Sequence, residues 1–74
     1  MNIKERIFKV LKSALNKDHV DETTSQNNTH QWDSLKHLSI IIELETEFNV
    51  EFEPEEITKM TDYPNIEKSV NSKI

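Results

Sequence analysis

The chain of 74 residues contains no cysteine, no glycine and only two prolines. Without cysteine it can form neither disulfides nor thiolate metal sites, and it has no thiol nucleophile. This is compatible with a reducing cytoplasm, where we expect the protein to be. Without glycine it has no glycine-rich turn that could supply oxyanion donors to a hydrolase. A long apolar run is also missing, because the opening MNIKERIFKVLKSALNK alternates charged and apolar residues. The opening therefore predicts neither a signal peptide nor a membrane span.

The length predicts one domain, residues 1–74. A chain of this size buries only about 60% of its unfolded surface, so a deep active-site cavity is not expected. The formal net charge of -5 argues against nucleic acid as a partner, because phosphates require a basic surface. These properties predict a protein that acts through its surface, with basic partners favoured.

Charge is unevenly distributed along the chain. Residues 43–56 contain seven acids and no lysine or arginine, whereas residues 1–17 contain five basic residues and one acid. The acidic half is therefore a candidate contact surface. The alternative is a solvated acidic face that only keeps the protein in solution.

The first helix is predicted from apolar residues that recur three or four positions apart. They are Ile3, Ile7, Val10, Leu11, Ala14 and Leu15. The second helix is predicted to begin after Asp33, a favoured N-cap, with Trp32 packing as a staple on its first turns. Its buried face is predicted to contain His37, Ile41, Leu44 and Phe48, with Leu38 and Ile42 on the flank.

Two further helices and a long loop complete the prediction. Pro54, followed by Glu55 and Glu56, predicts the start of a short third helix that continues through Met60. Asp62 and Pro64 give the same kind of start signal for the fourth helix. The fourth helix is predicted to bury Ile66, Val70 and Ile74. Residues 18–32 are rich in Asp, Ser, Thr and Asn, which favour turns, so they are predicted to form a long loop. NVEFEP is a connection, not a strand. The predicted fold class is all-α, with four helices and one long first loop.

Ser34 follows the predicted cap and occupies the first position of the second helix. Free backbone N–H groups and the helix dipole favour a negative group there, so a phosphate ester would be stabilised. The position is also accessible to an enzyme. The alternative is an ordinary polar residue in a first helical turn, because the tripeptide DSL is short enough to recur by chance.

A longer pattern resembles one protein family. DSLKHLSIIIELETEFNVEFEPEEI, residues 33–57, resembles the acyl and peptidyl carrier proteins almost position by position, and IKERIFKVLKSAL is similar to their first helix. The resemblance covers essentially the whole chain. It implies an up-down four-helix bundle with three main helices and a short third one. We expect the protein to be a monomer.

The resemblance also implies a function. Ser34 would carry 4'-phosphopantetheine, transferred from coenzyme A by a phosphopantetheinyl transferase, with Asp33 serving as helix cap and in transferase recognition. The thiol of this arm would hold acyl or aminoacyl groups as thioesters, supplied by a loading ligase and used by a downstream transferase or synthase. The implied partner contacts are Leu35, Leu38, Ile42, Glu45, Glu47, Glu55 and Glu56. We expect Leu35 and Leu38 to remain partly exposed.

The sequence departs from the fatty-acid branch of the family. Gln31 and Trp32 stand where that branch usually has glycine, and Lys36, His37 and Ser39 stand where it has acids. These departures favour a stand-alone carrier in a dedicated pathway over housekeeping fatty acid synthesis. A further expectation is cargo storage between helices two and three, with a lining of Ile41, Leu44, Phe48, Val50 and Ile57.

Two other classes compete with the carrier. An acidic helical adaptor without a prosthetic group would share the composition and the helices. A hydrolase using Ser34, His37 and Asp33 is disfavoured, because the adjacent side chains of Asp33 and Ser34 diverge on a helix. The sequence also has no glycine-rich turn to supply oxyanion donors. A metal site from His19, His30 and His37 is also disfavoured, because these residues lack ligand spacing.

Overall fold

A computed structural model describes residues 2–74, which form a bundle of four helices. The helices are α1 (Ile3–Leu15), α2 (Ser34–Phe48), α3 (Pro54–Lys59) and α4 (Tyr63–Lys73). Within residues 2–74 there is no β-strand, and β pairing is limited to an isolated bridge between Ser25 and Asp62. The packing of α1 against both α2 and α4 organises the bundle. The predicted all-α fold is confirmed.

Side chains at the helix starts explain where the helices begin. The carboxylate of Asp33 accepts a hydrogen bond from the amide of Lys36 at 2.8 Å, as expected of an N-cap. Asn2 and Asp62 cap α1 and α4 in the same way. At α3 the amide of Glu53 donates to the carboxylate of Glu56 instead.

Asparagine replaces glycine at the ends of the two longest helices. Asn16 follows α1 and Asn49 follows α2, and each has a φ of 55° in the left-handed region. Glycine usually occupies this position, and asparagine is the residue that tolerates it next best. The chain thus ends its helices sharply without any glycine.

The core contains the residues predicted from periodicity and several others. On α1, Ile7, Val10, Leu11, Ala14 and Leu15 are buried, as expected. On α2, Ile41, Leu44 and Phe48 are buried as predicted, and the fully buried Ile40 was not predicted. Phe52, Met60 and Tyr63 add core side chains from connections and a helix start.

Two predictions about helix ends are wrong. α3 ends at Lys59, and Met60 leaves the helix to place its side chain in the core. α4 ends at Lys73, and Ile74 is 60% exposed instead of completing a buried face. The periodicity of Ile66, Val70 and Ile74 holds only while the chain is helical, so the prediction fails where the helix stops.

The long loop between α1 and α2 is tied to the start of α4. The amide of Gln26 donates to the carbonyl of Thr61 at 2.8 Å, and the amide of Tyr63 donates to the carbonyl of Thr24 at 3.0 Å. Val20 and Trp32, the two apolar residues that anchor this loop, are both buried, and so are Thr24 and Thr29. The loop therefore holds a defined path into α2.

None of the helices in residues 2–74 has the length and apolar character needed to cross a membrane.

Candidate functional site

Ser34 lies exposed at the first position of α2. The side chain of Asp33 bonds to the amide of Lys36, and the carbonyl of Asp33 accepts the amide of His37 at 2.8 Å. The N–H groups of Ser34 and Leu35, which come earlier in the turn, have no intrahelical acceptor. The serine hydroxyl is thus presented beside two free backbone donors at the positive end of a helix of 15 residues.

His37, one turn after Ser34, joins three parts of the structure. Its Nδ1 accepts a hydrogen bond from the indole N–H of Trp32 at 3.1 Å. Its Nε2 lies 2.7 Å from the carbonyl oxygen of Ile57 in α3. Because an indole N–H only donates and a carbonyl only accepts, these contacts use Nδ1 as an acceptor and Nε2 as a donor. His37 is half-buried at the edge of the face on which it was predicted, and its ring stacks on Trp32.

These bonds disfavour a catalytic triad. Both nitrogens of His37 are already bonded, to Trp32 and to Ile57, so neither offers a lone pair to the hydroxyl of Ser34. The carboxylate of Asp33 caps the helix and does not orient the imidazole. The arrangement provides an accessible alcohol without a general base.

The three histidines do not form a metal site either. His19 lies in the loop and contacts the carboxylate of Asp21 at 3.1 Å, while His37 is held at the start of α2. Among residues 2–74 no three potential metal ligands lie together.

The outer side of α2 carries exposed apolar side chains. Leu35, Leu38 and Ile42 are 77%, 55% and 62% exposed, which confirms the expectation for the two leucines. We call these three residues the apolar stripe. Their spacing of three and four positions places them on one side of the helix, beginning beside Ser34. Exposure of neighbouring large apolar side chains is a common property of binding surfaces.

A shallow groove continues the stripe toward α1. It is lined by Lys9, Val10, Ser13, Ile42, Glu43, Thr46 and Glu47. Ile42 belongs to both surfaces, so the exposed apolar area extends from the serine end of α2 into the space between the two helices.

Three of the four acids expected to contact partners have partners within the protein. Glu47 binds Arg6 at 2.8 Å and Lys9 at 3.3 Å, and these contacts lower the pKa of its carboxyl group. Glu45 accepts the amide of Phe52 at 2.9 Å.

The carboxylate of Glu56 also has partners within the protein, whereas Glu55 is exposed. The carboxylate of Glu56 accepts the amide of Glu53 and pairs with Lys73 at 2.9 Å, and the two bonds lower its pKa. Glu55 is the fourth of these acids and is exposed. Partner binding by these residues remains a prediction.

The residues expected to line a cargo cavity lie in the core or at its edge. Ile41, Leu44 and Phe48 are buried in the core, and Val50 and Ile57 are partly buried at its edge. Grooves at the surface lie elsewhere, among them one between α1 and α2, one between α3 and α4 and one along α1. Cargo storage between α2 and α3 would therefore require those helices to move apart.

The sequence indicated Trp32 as a staple but not its hydrogen bond to His37. The signal was present, because Trp32 precedes the cap and His37 is the fourth helical residue, the two positions that a hydrophobic staple joins. The contact of His37 with Ile57 has no such local signal, because it joins residues 20 positions apart.

Comparison with known structures identifies the fold. No family model matches the sequence, and no curated protein sequence matches it. The structure is similar to the solution structure of holo acyl carrier protein from Geobacter metallireducens. The TM-score is 0.86 with 24% sequence identity, over 99% of this chain and 86% of the other. The chain therefore has the fold of an acyl carrier protein.

Proposed function

We propose that this chain is a stand-alone carrier protein that holds acyl or aminoacyl intermediates as thioesters on a 4'-phosphopantetheine arm attached to Ser34. It would present these intermediates to partner enzymes in a dedicated biosynthetic pathway, not in housekeeping fatty acid synthesis. One observation carries the proposal: an exposed serine occupies the first position of α2 in a fold shared with a holo acyl carrier protein.

The surroundings of Ser34 fit a phosphodiester. A phosphate on its oxygen would lie beside the N–H groups of Ser34 and Leu35 and at the positive end of the α2 dipole. Lys36 is exposed in the same turn and adds a positive charge. The side chain of Asp33 is held by the amide of Lys36, which keeps the helix tip in place during modification.

The bound arm would supply a terminal thiol, a group that this chain lacks because it has no cysteine. The residues of the chain contribute position and access. Asp33 fixes the tip, and the bonded imidazole of His37 holds the preceding loop and α3 against the same turn. Ser34 contributes only its oxygen and catalyses nothing.

The proposal implies several partners. A phosphopantetheinyl transferase would modify Ser34 using coenzyme A, with Asp33 in its recognition site. A ligase would load the acyl or aminoacyl group, and a transferase or synthase would remove it. We propose that the protein acts as a monomer in the cytoplasm.

A dedicated pathway is favoured by the first turns of α2. Lys36 and Ser39 are exposed there, and the first turn contains no acid. Apart from Asp33, enzymes that dock through basic patches would find little negative charge beside Ser34.

Intact-mass measurement tests the proposal. The purified chain is incubated with coenzyme A and a broad-specificity phosphopantetheinyl transferase. The expected result is a gain of one phosphopantetheine that Ser34→Ala abolishes. Ser39→Ala is the matched control, because Ser39 is also exposed on α2, and it should load like the wild type. A wild-type chain that stays unmodified would favour an acidic helical adaptor without a prosthetic group.

A further inference from the structure

One face of α2 leads from Ser34 into the space between α2 and α3. Ser34, His37, Ile41 and Leu44 follow one another at spacings of three and four positions, which places them on the same side of the helix. Ser34 is exposed, His37 is half-buried, and the other two are buried. A group that enters the bundle from Ser34 along this face therefore meets His37 first.

His37 closes this entrance by bonding to α3. Its Nε2 lies 2.7 Å from the carbonyl oxygen of Ile57, the fourth residue of α3. The buried indole of Trp32 donates to Nδ1 and stacks on the ring, which fixes the orientation of the imidazole. We call these two hydrogen bonds the His37 bridge. The bridge spans the α2–α3 space at the Ser34 end of α2.

α3 depends on polar contacts for its position. None of its six residues is fully buried, so its own side chains contribute little core packing. The bond from His37 joins it to α2, and the ion pair between Glu56 and Lys73, at 2.9 Å, joins it to α4. Loss of the bond to α2 should therefore let α3 move more easily than a helix whose side chains fill the core.

We propose that His37 determines which cargo this carrier accepts, by holding α3 closed against α2 so that the group on the arm stays outside the bundle. The cargo is then a short or polar acyl group, such as an aminoacyl group, and not a long alkyl chain. This inference rests on the proposed function and adds the class of cargo.

The class of cargo follows from the free energy of exposing alkyl groups to water. Each exposed methylene is unfavourable, which favours a buried site for a long chain. To bury the chain between α2 and α3, α3 has to move away, which leaves the N–H of His37 and the carbonyl of Ile57 without their partners in an apolar space. The apolar stripe is open to water and contacts a chain on one side only. A short or polar group requires neither change.

Thioester protection tests the proposal on the wild type. Acetyl and octanoyl forms are made with acetyl- and octanoyl-coenzyme A and the phosphopantetheinyl transferase. Loss of each acyl group to hydroxylamine is followed by intact mass, and each rate is divided by that of the matching acyl-pantetheine in solution. We expect the two normalised rates to agree within about twofold, because both thioesters stay in water. This comparison requires no variant.

Three variants test His37 itself. His37→Ala removes the bridge, and its octanoyl form should lose the acyl group at least about fivefold more slowly than its acetyl form, because the chain is shielded in the opened space. His37→Phe keeps a ring beside Trp32 without a hydrogen-bond donor and should show the same protection, so it also serves if the alanine variant is unfolded. His37→Gln can still donate to the carbonyl of Ile57 and should restore the wild-type ratio.

A matched control and a second measurement accompany these variants. His30→Ala removes an exposed histidine of the long loop and should leave the ratio of the two rates unchanged. In His37→Ala the urea midpoint of the octanoyl form should exceed that of the acetyl form, because a buried chain stabilises the folded state, whereas the two wild-type midpoints should coincide. Circular dichroism confirms that each variant is folded.

The outcomes separate the inference from the proposed function. A wild type that accepts neither acyl arm would overturn the proposed function. A loaded wild type whose octanoyl thioester is protected would overturn the inference and leave the carrier function standing, as would a folded His37→Ala or His37→Phe variant without protection. Protection in His37→Gln would assign the effect to loss of the imidazole ring and not of the bridge, and would also overturn the inference.

Discussion

The indole N–H of Trp32 donates a hydrogen bond to Nδ1 of His37 at 3.1 Å, and the same imidazole reaches the carbonyl oxygen of Ile57 with its other nitrogen. One side chain thus connects the loop before Ser34, the first turns of α2, and α3. The connection lies one helical turn from the proposed attachment point. It helps to hold the serine end of the bundle in one arrangement.

Loss of the imidazole should loosen this connection. His37→Ala leaves the N–H of the buried Trp32 and the carbonyl of Ile57 without their partner, so the free energy of unfolding should fall by about 1–3 kcal/mol. His37→Gln can still donate to the carbonyl and should recover part of the loss. Urea unfolding measures both. Because Trp32 is the single tryptophan, its emission should shift to longer wavelength in the alanine variant. An unchanged emission and midpoint would contradict this role.

Truncation of two isoleucines on α2, Ile40 and Ile42, should change the stability of the protein by very different amounts. Ile40 is fully buried and Ile42 is 62% exposed. Ile40→Ala removes core packing and should cost about 2–5 kcal/mol of unfolding free energy. Ile42→Ala, its matched control, should change stability by no more than about 0.5 kcal/mol. Equal effects in chemical denaturation would show that α2 is rotated from the orientation described above.

The ion pair between Arg6 and Glu47 predicts a loss of stability in acid. Arg6 and Lys9 lower the pKa of the Glu47 carboxyl below its ordinary value of 4.5. A lowered folded-state pKa adds stability that is fully present above the unfolded value and is lost as pH falls through the folded value. Glu47→Gln should therefore flatten the decline of the urea midpoint below about pH 4.5. Glu51→Gln, an exposed acid nearby in sequence, serves as the control and should leave the slope unchanged.

Asp21 should contribute a second acid-sensitive step, at lower pH. Its carboxylate accepts bonds from the hydroxyl and amide of Thr23 and contacts His19, which lowers its pKa from 3.8 to about 2. The stability from these bonds is present above the ordinary value and disappears as the pH falls toward the lowered one. In Asp21→Asn the stability of the loop should therefore decline less as the pH falls from 3.8 to about 2. Amide exchange in residues 19–29 is the measurement, since the effect is local to the loop.

Periodicity and start signals predicted most of the fold. The apolar residues of α1 and the caps Asp33 and Asp62 are local features, and their physical effect depends on a few neighbouring residues. Phe52 and Met60, two of the core residues that were missed, lie outside helices, where no repeating pattern indicates which side chain turns inward. Ile74 was misplaced because periodicity does not show where a helix ends.

The sequence predicted the position of the candidate site on α2, but not how the charges around it are paired. The capped start of α2 and the exposure of Leu35 and Leu38 followed from the sequence and its resemblance. The internal pairing of Glu47 with Arg6 did not, because it joins residues 41 positions apart on two helices. A count of acids in the sequence shows how much charge a segment carries, but the tertiary fold decides how much of it faces outward.

The bonds from Thr24 and Gln26 to the start of α4 also set an order of events during synthesis. Gln26 donates to the carbonyl of Thr61, and Thr24 accepts from the amide of Tyr63. Thr61 and Tyr63 leave the ribosome well after Ser34 does. The segment that leads into α2 consequently cannot adopt its final path while only the first half of the polypeptide has emerged. A tailoring enzyme that recognises this finished surface would act only after Tyr63 has emerged, and a nascent fragment ending before residue 61 should be a poor substrate.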